Sequence, residues 1–347
     1  MKTFTRKRGV RRPTVVTVAK RAGVSIASVS RVMNGLPASP NMERRVRAAT
    51  AALDYVPDAR GRSLKAGRTM QLAFAVADIA NPVYVEMMRA IDERTKAAGF
   101  RLVLHSTGSD PVNEIDLIEG LGRRYVDGLI LSPLRITPEH LSALRASVVP
   151  IVIIGSLPDE EPIDSVRADS RRGVGLAVEH LVAAGRRSIG FVNGDPRTVP
   201  GTARQEGYLA ALAAAGLKYE ARLEAVGGEF TYAAGHAAAR KLFSSARPDA
   251  VFCADDLIAV GAMRALADLR LRVPEDVAVV GMDDTELARM STPALSSVSL
   301  GSAERARLAA GLLLDRLKDP TLAPRHLTVA PHLVVRESSG GPSVISA

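Results

Sequence analysis

The chain has 347 residues, 47% hydrophobic and 24% charged, which excludes wholesale disorder and predicts two to three domains with a sizeable core. Its single cysteine, Cys253, excludes an intramolecular disulfide framework and any multi-cysteine metal centre. The net charge of +9 is uneven: residues 1–70 hold 16 Lys and Arg against 3 acids, leaving 30 against 34 for the rest, so a basic head sits on a mildly acidic body.

Residues 1–13 read as a flexible basic arm. It lacks the apolar core of a secretory signal, and no later run reaches the ~18–20 apolar residues of a membrane helix. The chain is therefore expected to be cytoplasmic. Residues 14–56 read as three short helices. Thr14 is an N-cap for the first, which Gly23 stops. The second runs from about Ser25 to Asn34, with Gly35 as its breaker. Ser39-Pro40 opens the third, whose apolar residues Met42, Val46, Ala49 and Leu53 recur on one face. Residues 57–69 contain Arg60, Arg62, Lys65 and Arg68, with Leu64 as the one large apolar residue. Alone, such a stretch should be a linker.

From Gln71 the pattern alternates between strands and helices. Apolar runs fall at Leu72–Ala77, Leu102–Leu104, Gly128–Leu131, Ile151–Ile154, Ile189–Val192, Ala250–Ala254 and Val277–Val280. Amphipathic stretches such as Tyr84–Ala97, Gly173–Ala184, Ala203–Ala215 and Leu257–Asp268 lie between them. This predicts α/β architecture with parallel sheets covered on both faces, divided into two sub-domains.

The run from Val16 to Gly35 is a helix-turn-helix: Ala19 is small at the helix crossing, Gly23 permits the turn, and Val18, Val24, Val29 and Val32 form the shared apolar face. Residues at the start of its second helix are expected to face the DNA major groove. Other segments extend the pattern. They are Leu53-Asp54-Tyr55-Val56-Pro57, Arg62-Ser63-Leu64-Lys65, Asp78-Ile79-Ala80-Asn81-Pro82, Val126-Asp127-Gly128-Leu129-Ile130, Glu179-His180-Leu181, Gly261-Ala262-Met263-Arg264-Ala265, the stretch from Val273 to Asp284, and Leu333-Val334-Val335-Arg336-Glu337-Ser338. With this ordered set, the chain resembles the LacI/GalR family of bacterial transcription regulators over nearly its whole length.

The resemblance implies base reading by Ile26, Ala27 and Arg31. Arg31 can donate to guanine O6 and N7 or hold a phosphate, and the two apolar residues suit a thymine methyl. Ser25, Ser28 and Ser30 are expected to hold phosphates or cap helix ends, and Asn34 belongs to the same DNA-facing set. The linker would become a hinge helix on DNA, with Leu64 as a minor-groove wedge and Arg62, Lys65 and Arg68 near phosphates. Gly61 stands where the family usually has alanine, which predicts a hinge more dependent on DNA and effector for folding.

The family body is similar to periplasmic sugar-binding proteins, with two lobes closing on a small molecule. Lobe 1 is expected at about 70–166 and 299–329. Lobe 2 is expected at about 167–298 and 330–340, with crossovers near Arg167, Val298 and Ala330 and a tail at 341–347. Arg204 matches the family's effector-clamping arginine and Asp283 its acidic partner; together they give charge-assisted hydrogen bonds to a polyol. Phe230 matches a stacking aromatic. Tyr84, Ser132 and Ser156 match other pocket positions. Asp255 replaces the usual asparagine, which favours a hydroxyl-rich ligand and argues against a phosphorylated one. Two alternatives stand beside these: Asp283 and Asp284 could cap a helix, and Phe230 could be core. Gly173-Val174-Gly175 reads as close helix packing, and His180 and His236 as surface or packing residues.

No Gly-x-Ser-x-Gly, His-Glu-x-x-His or Walker A motif occurs, and no enzyme, cofactor or metal is implied. The expectation is a homodimeric, effector-controlled regulator on double-stranded, pseudo-palindromic operator DNA, repressing a carbohydrate catabolic operon. The residues after Ser338 carry no heptad pattern, which favours a dimer over a tethered tetramer. The alternative is a cytoplasmic sugar-binding protein or enzyme of similar fold with non-specific DNA affinity. The sign of the effector response is not legible.

Overall fold

The computed structural model describes residues 13–33, 35–55, 68–123 and 125–341. The arm residues 1–12, Asn34 and the hinge positions Gly61, Arg62, Leu64 and Lys65 lie outside the described residues. Two units divide the chain, Met1–Thr69 and Met70–Ala347.

In the first unit, α1 (Val15–Ala22) begins in a reciprocal cap between Thr14 and Thr17. It ends at Gly23, whose φ of 62° lies in the left-handed region. Arg45 Nη2 donates to the Gly23 carbonyl at 2.9 Å and fastens the turn to the third helix. Next come α2 (Ile26–Met33) and α3 (Pro40–Ala52), the latter capped by Ser39 with proline at its first position. Val18, Ala19, Ala22, Val29, Val32, Val46 and Ala49 form the buried core of the three helices.

The second unit holds two six-stranded sheets. The first contains β1 (Gln71–Val76), β2 (Arg101–Ser106), β3 (Gly128–Ser132), β4 (Ile151–Ile154), β5 (Asp164–Ala168) and β11 (His326–Val329). Its order is β11-β5-β4-β3-β1-β2, all parallel. The second contains β6 (Ile189–Asn193), β7 (Glu224–Val226), β8 (Ala250–Cys253), β9 (Ala278–Met282), β10 (Ser296–Ser299) and β12 (His332–Val334), ordered β12-β10-β9-β8-β6-β7. Here β12 runs antiparallel to β10, a departure at one edge from the expected parallel sheets. The central strands are buried on both faces, which is why they read as continuous apolar runs.

Around the first sheet lie α4 (Pro82–Ala97), α5 (Pro111–Gly120), α6 (Pro138–Ala146) and α12 (Ser302–Lys318). The second is covered by α7 (Ser170–Ala183), α8 (Val199–Ala214), α9 (Tyr232–Ser245), α10 (Asp256–Asp268) and the short α11 (Glu286–Met290). The chain passes between sheets after β5, after β10 and between β11 and β12. Because β5 continues to Ala168, Arg167 and Ala168 stay with the first sheet. Gly173 packs closely in the second lobe: a Cβ there would lie 3.2–3.3 Å from Met282, Val298 and Leu300. Among the described residues no helix is long and apolar enough to cross a membrane.

Candidate functional site

The exposed face of α2 presents Ile26, Ala27 and Arg31 to solvent, and Ile26 is 46% exposed despite its apolar side chain. Val29 and Val32 on the opposite face are buried, so helical periodicity alone turns these three outward. Ser25 Oγ accepts from the Ser28 backbone at 3.1 Å and caps the helix, one of the two roles its sequence position allows. Arg31 Nη1 donates to the Pro37 carbonyl at 3.3 Å, a long bond that a stronger acceptor would displace.

A second site lies between the lobes of the body. Tyr84, Ser132, Ser156, Arg204, Phe230, Asp255 and Asp283 all line one cavity of about 1330 Å³. Their positions follow from the topology. Ser132, Ser156, Asp255 and Asp283 stand at or just beyond the carboxyl ends of β3, β4, β8 and β9. Phe230 lies in the loop from β7 to α9. Tyr84 projects from the first turn of α4 and Arg204 from the second turn of α8. A crevice at the carboxyl ends of parallel strands is the standard ligand position in open α/β sheets.

Arg204 is 6% exposed, and its guanidinium carbon lies 5.6 Å from the Phe230 ring centroid. Its Nη2 stands 3.7 Å from Asp283 Oδ1, beyond hydrogen-bond reach, and its Nε has no partner. Phe230 packs on the second lobe's core while lining the cavity. Its ring fits because residue 194 is glycine, where a Cβ would meet it at 2.6 Å.

Asp283 and Asp284 have φ values of 100° and 51°, both in the left-handed region. Such strain persists where the surroundings over-determine the loop. Asp283 donates its backbone N–H to the Val298 carbonyl at 2.8 Å. Buried Arg336 donates to Asp284 Oδ1 at 2.5 Å and to the Leu295 carbonyl at 2.7 Å. Asp256 accepts from the Thr285 backbone at 2.7 Å and hydroxyl at 2.9 Å, and from Ser297 Oγ at 2.5 Å. Neither Asp283 nor Asp284 caps α11; Thr285 occupies that place.

Asp255 caps α10, accepting from the Ile258 backbone at 2.7 Å, and takes a side-chain bond from Asn81 of the first lobe. Burial, then the Asp283 charge, push its carboxyl up to about 7. Burial pushes the Tyr84 phenol up to about 12, against the opposing effect of its bond with Ser132. Farther out, Arg135 of the first lobe pairs with Asp195 of the second at 2.5 Å, and Arg197 pairs with the same carboxylate at 2.9 Å. Arg197, with Arg135, holds the Asp195 carboxyl well below the usual carboxylate range. The Val199 backbone donates to the Leu134 carbonyl at 2.8 Å across the same seam.

Residues 14–58 match the family model for bacterial regulatory proteins of the lacI family, and residues 178–339 match the periplasmic binding protein-like domain. The ribose operon repressor of Escherichia coli strain K12 is 35% identical over 329 residues, covering 94% of this chain and 99% of the relative. The chain belongs to the lacI family of bacterial regulatory proteins. A solved structure described as a transcriptional regulator CelR–cellobiose complex is 36% identical with a TM-score of 0.72, covering 94% of this chain and 100% of that one. The lac repressor dimer bound to operator and the anti-inducer ONPF has a TM-score of 0.84 at 26% identity, covering 95% and 99%.

For a lacI-family regulator, the cavity holds more ionic groups than the motifs indicate. Arg305, Arg135, Arg197 and Asp195 line it, as does the neutral Asn81. Asn81-Pro82 carried a signal, an N-cap preceding proline, but as a helix start and not as a cavity residue. The others sit in sequence as ordinary surface charges. Of the two helix histidines, His180 Nε2 lies 2.8 Å from Ser339 Oγ and His236 pairs with Asp268 at 2.9 Å.

Proposed function

We propose that this regulator is a homodimeric repressor of a carbohydrate catabolic operon, released from its operator by a sugar-like effector. The observation that carries this reading is the single cavity lined by Arg204, Asp283 and Phe230, with the Arg204 Nε unpartnered. A polyol offers hydroxyls to the arginine and aspartate and an apolar ring face to the phenyl group. Similarity to a ribose operon repressor and to a regulator solved with cellobiose supports the carbohydrate assignment. On the DNA side, Arg31 reads guanine, Ile26 and Ala27 contact thymine methyls, and Ser25, Ser28 and Asn34 complete the face. Leu64 unstacks a central step, with Arg62 and Lys65 on phosphates. Two heads read a pseudo-palindrome, as the likeness to an operator-bound lac repressor dimer supports.

The test is selection of bound DNA from a random duplex pool at near-physiological salt, followed by titration of the selected site with sugars. Enrichment of a two-fold symmetric site that a sugar dissociates supports the whole reading. Binding only at low salt, with no enrichment, overturns it, because phosphate contacts alone would explain the affinity.

A further inference from the structure

Arg305 lies in the first turn of α12, on the first lobe, and faces the same cavity as Arg204 of the second. Both are more than nine-tenths buried, at 8% and 6% exposure. Arg305 Nε donates to the Leu300 carbonyl at 3.0 Å and Nη2 reaches Ser302 Oγ at 3.5 Å, so neutral groups are its hydrogen-bond partners. Burial lowers its pKa, and Asp283, Arg204 and the Tyr84 phenol act on it electrostatically. Asp283 is 3.7 Å from Arg204, too far to hydrogen-bond it. The other buried carboxylate, Asp255, is already engaged as the cap of α10 and by Asn81, and its raised pKa leaves it only part-charged near neutral pH. Two buried guanidinium groups therefore face one cavity, and among the described residues no carboxylate lies within hydrogen-bond reach of either. Buried charges are stable only when paired and hydrogen-bonded, so the two together suit an anionic acceptor.

We propose that the effector is a sugar acid, a polyhydroxylated molecule bearing one carboxylate, and that this carboxylate binds between Arg204 and Arg305. The inference rests on the carbohydrate-regulator reading and narrows its ligand class. The hydroxyls use Asp283 and Ser132, and the apolar C–H face lies on Phe230, as for any sugar. The carboxylate accepts from both guanidinium groups, the orphaned Arg204 Nε included. A neutral sugar leaves both guanidinium groups without a carboxylate hydrogen bond. A sugar phosphate, close to dianionic at neutral pH, brings a second negative charge into a cavity that already holds Asp255 and Asp283.

The experiment uses the full-length protein on its selected operator. The probes are matched series: ribose, ribonate and ribose 5-phosphate; glucose, glucuronate, gluconate and glucose 6-phosphate; galactose and galacturonate; cellobiose and cellobionate. Calorimetry reads affinity, and operator release reads function. An acid is expected to bind at least tenfold tighter than its neutral parent. In Arg305→Met, that ratio should fall to near one, and Arg305→Lys should retain most of it; a wild-type circular-dichroism spectrum and a cooperative melt report that each variant is folded. Should Arg305→Met fail to fold, the wild-type ratio and Arg305→Lys still decide. A neutral sugar or a phosphate binding best overturns the inference while leaving the carbohydrate reading intact, as does a ratio that survives Arg305→Met. If no member of any series binds, the carbohydrate reading fails and the inference with it.

Discussion

Arg204 is the side chain on which effector recognition turns. Its guanidinium is held over Phe230 and aimed past Asp283, with Nε left for an incoming group. Hydrogen bonds to a charged group contribute about 1.5–3 kcal/mol each, so Arg204→Ala should weaken effector binding about 10–100-fold. Operator binding without effector should stay unchanged, and titration of a protein–operator complex reads both. Asp255 has a different signature. Its carboxyl rises from 3.8 to about 7, so the folded state holds this proton more tightly than the unfolded state. The group's contribution is therefore most favourable below about pH 4, declines as pH rises, and levels off above about 7. Asp255→Asn keeps the cap and removes the charge. It should flatten that slope and raise stability at pH 8 by a few kcal/mol, measured by thermal melts across pH. At this scale the sequence was legible where a residue stood inside a family motif, as for Arg204, Phe230 and Asp283, which the fold brings to one cavity. Arg305 was not legible, because on an amphipathic helix a buried arginine and a solvated one have the same spacing. Only the packing of α12 against α4 and the first sheet distinguishes them.

Elements in the head followed local rules closely. Thr14, Gly23 and Ser39 each mark a helix end in sequence and occupy that place in the fold. Gly23 has two reasons to be glycine: φ is positive, and a Cβ would meet Arg45 Nη2 at 2.4 Å. Gly23→Ala should destabilise the head by about 1–2 kcal/mol. Amide exchange across α1 and α2 should quicken while the body's exchange is unchanged. In the body, the long apolar strands were legible and five others were not: β5, β7, β10, β11 and β12. β10 explains why. Its Ser296-Ser297-Val298-Ser299 is polar in sequence yet largely buried, because distant partners satisfy the hydroxyls. Ser296 Oγ bonds the Arg336 carbonyl at 2.9 Å and Ser297 Oγ bonds Asp256. The Arg336-Glu337-Ser338 motif belongs to the same network. Ser338 Oγ donates to the Val279 carbonyl at 2.6 Å, and Arg336 fixes the strained turn that carries Asp283. Arg336→Ala would leave Asp284 buried without its cation, a loss of about 3–5 kcal/mol and a melting-point fall on the order of 10 °C. Effector affinity should drop in the same variant, since Asp283 loses its fixed position.

In the body as a whole, an effector response requires two lobe arrangements that differ in free energy, and the ligand can shift them only by its differential affinity. The two lobes are joined by three chain crossovers and by non-covalent bridges around the cavity. These are Arg135 to Asp195, the Val199 backbone to Leu134, and Asn81 to Asp255. Each bridge favours the bridged arrangement before any effector is present, so part of the ordering that binding requires is already complete. Arg135 is the cleanest probe, because Asp195 keeps Arg197 as a partner when Arg135 is removed and is not left as an isolated buried charge. Arg135→Ala should then reveal the bridge's own contribution. For a partly exposed charge-assisted pair this is about 1–2 kcal/mol, equivalent to roughly 5–30-fold weaker effector binding. The loss should come with a larger unfavourable entropy of binding and no change in the groups that touch the ligand, both readable by calorimetry. An unchanged dissociation constant would mean that the bridged arrangement is not the one the effector selects. The same population shift extends to function: where the bridged arrangement is less populated, the apparent effector affinity falls by that fraction. Operator occupancy in Arg135→Ala should therefore require a matching increase in effector concentration to reach half-release.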